Sequence, residues 1–346
     1  MGGIGKTTML KRIQQHYLLK HTIFDRVIWV VASKGCQLKR LQIDIAKSLK
    51  LHTLEENDDE QTCGDKLFSF LKSRNCLLLL DDIWEHVDVQ LLGMAHSATE
   101  RGQQQQPRKV VVFTTRSEIV CAQMKAEKKT KVKCLDSDQA WKLFEQNSDG
   151  DVLSSDAGIK FVAEKLAKEC AGLPLALVTI ARALSGKKSW EVWNDALNQI
   201  RDKHEWTTVC LPEDSFVMYK AFKLSYDSLE NDSIRECLLC CALWPEDHKI
   251  NKFELIPCWI GCGIISEFNV INEALAKGCS YLEALMATSL LEKCSDMDSS
   301  YGDTLVKMHD VIRDMALLMV FGLESNKRKW IVKAGVGLSD LPRQEE

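Results

Sequence analysis

Apolar residues follow two different patterns along this chain, and the change comes near residue 135. Before it the strongest signals are short runs with unbroken apolar stretches: Phe24 to Val31, apolar throughout from Val27, Leu77 to Leu80, and Lys109 to Arg116 with Val110, Val111, Val112 and Phe113 at its centre. Runs of that length without polar interruption predict strands buried on both faces. Lys131 to Leu135 predicts one more short strand. Between the runs, Leu38, Leu41, Ile45 and Leu49 recur at helical spacing, Thr8 to Lys20 reads as a helix, and Leu67 to Lys72 as the end of another. Glu55 to Glu60 reads as a solvated acidic loop, and Gln103 to Gln106 with Pro107 as an exposed one.

From Asp136 onward nearly every apolar pattern is helical. Helices are predicted over Asp138–Phe144, Phe161–Cys170, Leu175–Leu184, Trp190–Ile200, Ala221–Leu229, Ile234–Leu243, Phe253–Cys262, Ile271–Thr288 and Val311–Val320. Residues 203–215, with Pro212, mark a boundary. Two short strands, Leu290–Cys294 and Thr304–Met308, flank a turn-rich stretch, Ser295–Asp303, so the last helices with this hairpin suggest a winged-helix-like unit. The expected architecture is an α/β parallel-sheet domain over 1–135, a helical bundle subdomain over 136–205, a winged-helix-like subdomain over 206–322 and a linker over 323–346. No internal repeat is present.

Composition narrows the class. A chain of 346 residues with 45% hydrophobic and 27% charged residues can bury two or three real cores. The net charge of −4 offers no electrostatic reason for nucleic acid as the main ligand, and no helix of the winged unit carries a concentrated basic face, so DNA is not expected. No apolar run approaches the ~20 residues that span a bilayer. The 14 cysteines sit mainly in apolar runs, and residues 1–10 do not read as a secretory leader, so free thiols in a reducing, cytoplasmic compartment are expected. Myristoylation at Gly2 is rejected because Lys6 stands where Ser or Thr is wanted. Cys237, Cys240, Cys258 and Cys262 have near-zinc spacing, C-x2-C-x17-C-x3-C, yet lie in apolar helical runs rather than in turn-rich knuckles, which favours core packing.

The chemistry is concentrated in three places. Gly2, Gly3 and Gly5 followed by Lys6, Thr7 and Thr8 form the end of a phosphate-binding loop. There backbone N–H groups curl around phosphate, Lys6 reaches the β/γ-phosphates, Thr7 ligates Mg2+, and the following helix start completes the anion site. Asp81 and Asp82 end the leucine-rich strand, where open α/β sheets bind ligands. Asp81 would serve Mg2+, and Asp82 would orient or deprotonate water. The bland alternative is a helix cap at Asp82. Arg116 ends the next strand, where a cation senses γ-phosphate; its bland alternative is a surface pair with Glu118. His309, met without further context, is a lone histidine that would cap the helix starting near Asp310.

These motifs, taken with Gly172-Leu-Pro-Leu-Ala-Leu177, Cys237-Leu-Leu-Cys-Cys-Ala-Leu-Trp-Pro-Glu-Asp247 and Met308-His309-Asp310, resemble in content and order the NB-ARC domain of plant intracellular immune receptors. Trp84 after the paired aspartates is similar to the coiled-coil class rather than the TIR class. The resemblance spans residues 2–320. It implies an ADP/ATP switch, off with ADP, on with ATP and reset by hydrolysis that is at most slow. It implies Pro174 at adenine, His309 at the β-phosphate of ADP with Asp310 supporting it, and Arg116 as sensor. Implied partners are other receptor domains and a pathogen effector or guarded host protein, with self-association of the receptor. The implied location is cytoplasmic, or peripheral at the plasma membrane in a full-length receptor.

The phosphate pattern's first glycine would fall one residue before Met1, and no strand precedes the loop. In a parallel sheet that strand lies centrally, so its two neighbours are expected to expose pairing edges, with weak nucleotide binding or poor solubility as the consequence. An alternative reading is therefore a fragment acting only through protein interaction; another is a generic P-loop ATPase.

Overall fold

The computed structural model describes residues 2–19, 23–32, 34–55, 57–94, 107–202, 213–294 and 304–321. They divide into two units, Gly5–Val132, and Met1–Ile4 with Lys133–Glu346. The glutamine loop at 103–106, the stretches 203–212 and 295–303, and the linker at 323–346 lie outside the described residues.

In the first unit α1 (Lys6–Leu19) is followed by β1 (Arg26–Val31), α2 (Leu38–Ser48), α3 (Glu60–Leu71), β2 (Cys76–Ile83), a π-helical turn (Gln90–Met94), β3 (Lys109–Thr115) and α4 (Glu118–Gln123). The strands form a parallel sheet in the order β1-β2-β3. The four leucines of β2 divide by alternation. Leu78 and Leu80 pack with Leu41 and Ile45 of α2 and Leu67 and Leu71 of α3, while Leu77 and Leu79 pack with Leu10 of α1. Helices cover both faces, so no position of the run can be polar, and each buried leucine contributes about 1.5–3 kcal/mol. Gln42 is the buried polar exception in α2. Its Nε2 donates to the carbonyls of Glu60 at 2.7 Å and Leu91 at 2.9 Å, tying α2 to α3 and the π-turn.

β2 and β3 pair directly, with Leu77 opposite Val110 and Leu79 opposite Val112, so these two strands satisfy each other's backbone. One expectation is corrected here. The stretch Lys131–Leu135 is not a strand: it has no neighbouring strand to pair with among the described residues, and Leu135 N–H donates instead to the Gly172 carbonyl at 2.9 Å.

The second unit runs α5 (Ser137–Asn147), α6 (Gly150–Ser155), α7 (Ala157–Glu169), α8 (Pro174–Ala183), α9 (Trp190–Arg201), α10 (Glu213–Asp227) and α11 (Asp232–Cys241). It continues with β4 (Ile250–Asn251), α12 (Lys252–Gly261), α13 (Ile271–Ala287), β5 (Glu292–Cys294), β6 (Leu305–Lys307) and α14 (Asp310–Phe321). Side-chain caps start several helices where the sequence changes period: Asp136 accepts from Gln139 N–H at 2.9 Å, Asp156 from Gly158 N–H at 2.7 Å, and Asn231 from Ile234 N–H at 2.9 Å. The expected hairpin is present as β5 and β6, antiparallel, and β4 adds a third strand in the order β4-β6-β5. At two residues, β4 is too short to leave a period in the sequence. Gly278 lets α13 approach α12, since a Cβ there would lie 2.4 Å from Ile256 Cγ2. One continuous apolar core extends from Ala140 to Ala316.

Candidate nucleotide-binding site

The ligand edge of the sheet is shaped by a bulge. β2 and β3 stay in register up to Leu80 opposite Phe113 and resume at Ile83 opposite Thr115, so Asp81 and Asp82 share the space facing Thr114. Asp82 absorbs the extra residue with φ of 55°, a left-handed conformation that aspartate tolerates better than most side chains. Both acids consequently meet one hydroxyl. Thr114 Oγ1 donates to Asp81 Oδ1 at 2.6 Å and accepts from Asp82 N–H at 2.8 Å. Asp81 is 3% exposed. A carboxylate so buried needs partners, and Thr114 occupies one of its oxygens.

Asp82 is held from the other side. Arg116 Nε and Nη2 each lie 3.3 Å from its carboxylate oxygens, Trp84 Nε1 donates to its Oδ2 at 3.0 Å, and the Arg116 guanidinium stacks 4.9 Å over the Trp84 ring. The partner expected for Arg116 as a surface residue was Glu118; the bulge puts Asp82 there instead. Lys6, the first residue of α1, stands in the same electrostatic neighbourhood. Burial, and then the Arg116 guanidinium, hold its ammonium below the usual value of 10.5, while Asp82 and Asp81 pull it back up. Gly5 precedes it with φ of 95°, and Met9 N–H makes the first helical bond, to the Gly5 carbonyl, at 2.9 Å. The N–H groups of the first turn, including those of Thr7 and Thr8, have no partner within the helix ladder, which is what an anion site at a helix start requires. A cavity of about 260 Å³ is lined by Ala32, Cys36, Leu41, Ile83 and Trp84 but not by Lys6, Asp81 or Asp82; Trp84 is what it shares with this cluster.

Thr7 and Asp81 offer hard oxygen donors, the kind Mg2+ prefers, and the second oxygen of Asp81 is not taken by Thr114. The residues present therefore fit that ion.

In the second unit the Gly172-Leu-Pro stretch has a steric explanation. Gly172 has φ of 70° and approaches Leu135 so closely that a Cβ would lie 2.1 Å from its carbonyl oxygen. Pro174 then occupies the first turn of α8, where its missing N–H costs nothing. Gly3 belongs to this unit too: its carbonyl accepts from Leu175 N–H at 3.2 Å, and a Cβ on it would lie 2.8 Å from Leu175 Cβ.

His309 precedes α14. Its Nδ1 lies 2.5 Å from Asp310 Oδ1 and 3.2 Å from Val311 N–H. One nitrogen cannot donate and accept together. A neutral ring with its proton on Nε2 caps Val311; a ring with its proton on Nδ1 donates to Asp310, and the 2.5 Å separation favours this second arrangement. Arg313 extends the network by donating to the Trp244 carbonyl at 2.8 Å, which joins α14 to the Trp-Pro-Glu-Asp segment.

Thr114 was not singled out from sequence as a site residue. The signal that could have found it is the hydroxyl pair Thr114-Thr115 at a strand end facing two acids, but which of the two faces them depends on the register.

A parallel sheet with paired acids on its edge and a Gly-Lys-Thr helix start, followed by helices and a winged helix, defines a P-loop nucleotide-binding protein. Residues 1–150 match the NB-ARC domain and residues 243–316 the disease resistance protein winged-helix domain. An Arabidopsis thaliana relative described as probable disease resistance protein At1g61190 is 37% identical over 348 residues, covering all of this chain and 34% of that protein. Disease resistance proteins UNI and SUMM2 of the same plant are 37% and 35% identical, over 100% and 99% of this chain and 37% of each relative. The chain carries an NB-ARC domain and the winged-helix domain of disease resistance proteins, and resembles such proteins along its whole length. It spans little more than a third of the length of these relatives. Among solved structures, the Aeropyrum pernix ORC2 protein superposes over 92% of this chain and 85% of its own, at a TM-score of 0.39 and 13% identity, too loosely to bear on function. Among the described residues, no helix is long and apolar enough to cross a membrane.

Proposed function

We propose that this chain is the nucleotide-dependent switch of a plant disease resistance protein, off with ADP and on with ATP. The observation that carries the reading is the convergence of Asp81, Asp82, Thr114 and Arg116 on the sheet's ligand edge, in the electrostatic neighbourhood of Lys6. Lys6 and the N–H groups around Gly2, Gly3, Gly5, Thr7 and Thr8 would hold phosphate, while Thr7 and Asp81 would hold Mg2+, which neutralises phosphate charge. Asp82 is bound to Arg116 and Trp84, so any hydrolysis that depends on it as a base must first free it; slow turnover follows from that. Pro174 is proposed as the adenine contact and His309, steadied by Asp310, as the β-phosphate contact. A nucleotide shifts a conformational equilibrium only by its difference in affinity for the two states, so ADP and ATP must bind those states unequally.

The test is calorimetry on the purified chain. Mg2+-dependent ADP binding at one site, lost in Lys6→Ala, is the expected outcome. A folded chain that binds neither ADP nor ATP would overturn the switch reading and leave only protein interaction.

A further inference from the structure

Three cysteines meet where α11 packs on α12. Cys240 of α11, Cys258 of α12 and Cys262, which caps the end of α12, bring their Sγ atoms within 4.8 Å of one another, and the sulfurs of Cys240 and Cys258 are 3.9 Å apart. Cys258 and Cys262 are one turn apart, with Cys262 N–H donating to the Cys258 carbonyl at 2.9 Å, so both side chains leave the helix on one face. Thiolates at ~2.3 Å from a tetrahedral cation stand ~3.8 Å from each other, close to the 3.9 Å between Cys240 and Cys258, and the third sulfur lies within 4.8 Å of both. The spacing in the sequence had pointed to a four-cysteine set that included Cys237, but Cys237 stays out of the cluster, fully buried in the core.

Exposure is graded across the three. Cys240 is fully buried, Cys258 is partly buried and Cys262 is exposed. The cluster therefore has a closed floor and a mouth open to solvent. An ion can enter, and a position remains for a solvent ligand. Among the described residues no carboxylate or imidazole joins the group, so the donor set they offer is soft throughout.

We propose that Cys240, Cys258 and Cys262 form a three-thiolate site for a soft d10 cation, Zn2+ with a water as fourth ligand or Cu+ in three-coordination. On binding, three thiols release their protons to solvent and three metal–sulfur bonds form, with no change of oxidation state. The ion staples α11 to α12, and so ties the Trp244 segment that follows α11 to the first helix of the winged unit.

The test uses the full chain with its thiols reduced and Co2+ as the spectroscopic probe. One equivalent of Co2+ should bind with thiolate-to-cobalt charge-transfer absorption, and Zn2+ or Cu+ should displace it; which one does so at the lower concentration identifies the preferred ion. Cys262→Ser, at an exposed position that leaves the core intact, and Cys258→Ser should each lose at least about tenfold in affinity, the least that even an outer-shell partner costs. Cys121→Ser, outside the cluster, should bind as the unsubstituted chain does. Circular dichroism checks that each variant is folded. Equal Co2+ binding by Cys262→Ser, or no charge-transfer band in the folded, reduced chain, overturns the proposal.

Discussion

The Thr114 hydroxyl donates to Asp81 Oδ1 at 2.6 Å, and Thr114 Oγ1 itself accepts the Asp82 N–H at 2.8 Å. Removing that hydroxyl strands two polar groups at once, a buried carboxylate oxygen and a backbone donor at the bulge. Thr114→Val should lower stability by about 1–3 kcal/mol for each group left unpaired. A shift in the urea midpoint with an unchanged slope checks this. Thr114→Ser, which restores the hydroxyl, should recover most of the loss.

Lys6 is held below its usual pKa chiefly by burial, so its charged form costs the folded state some stability. Lys6→Met should leave the nucleotide-free chain as stable as before, or slightly more so, while abolishing the rise in Tm that ADP produces. The sign with pH follows from linkage. The unfolded lysine binds its proton up to 10.5 and the folded one lets go earlier, so the unfolded state carries more protons between the two values. Stability of the unsubstituted chain relative to Lys6→Met should therefore rise with pH through that alkaline window, as the cost of the charge disappears. Denaturant midpoints of both proteins measured from neutral to alkaline pH test the direction; a relative fall would contradict it.

Gly172→Ala introduces a Cβ 2.1 Å from the Leu135 carbonyl oxygen at a φ of +70°. The left-handed backbone alone costs a side chain roughly 1–2 kcal/mol, and the clash with backbone adds to it because Leu135 N–H is bonded to the Gly172 carbonyl. The expected loss is more than about 2 kcal/mol, read as a lower urea midpoint of the full chain. A Gly172→Ala chain as stable as the parent would mean that this loop does not make the close approach.

Asp310→Ala takes away the group 2.5 Å from His309 Nδ1. The ring is then free to keep its proton on Nε2 and cap Val311, so α14 should lose less than about 1 kcal/mol. If His309 serves the β-phosphate of ADP, the same change should weaken ADP retention as His309→Ala does. Fluorescent ADP off-rates for both variants separate the two effects: a stable protein that releases ADP quickly supports the role, and unchanged off-rates remove it.

Much of the fold was legible because it depends on local period. The four leucines of β2 could be nothing but a strand covered on both faces, and the helices of the second unit carry their caps and stripes in the sequence. β4 escaped because two residues have no period. Lys131–Leu135 misled because β-type composition does not supply a partner strand.

By itself the sequence determined the chemical parts: glycines before Lys6 and Thr7, two acids at the end of a buried strand, an arginine at the end of another, and a histidine at a helix start. These are properties of residue type and spacing along one chain. Tertiary structure alone decided how they combine. Thr114 lies 33 residues from Asp81, and Arg116 lies 34 from Asp82; each pairing depends on where β3 settles against β2 and on a one-residue bulge at their ends. Register of that kind arises from the backbones of both strands and the packing on both faces, so neither strand's sequence encodes it separately. The same holds for Cys240 and Cys258, which become neighbours only once α11 and α12 pack.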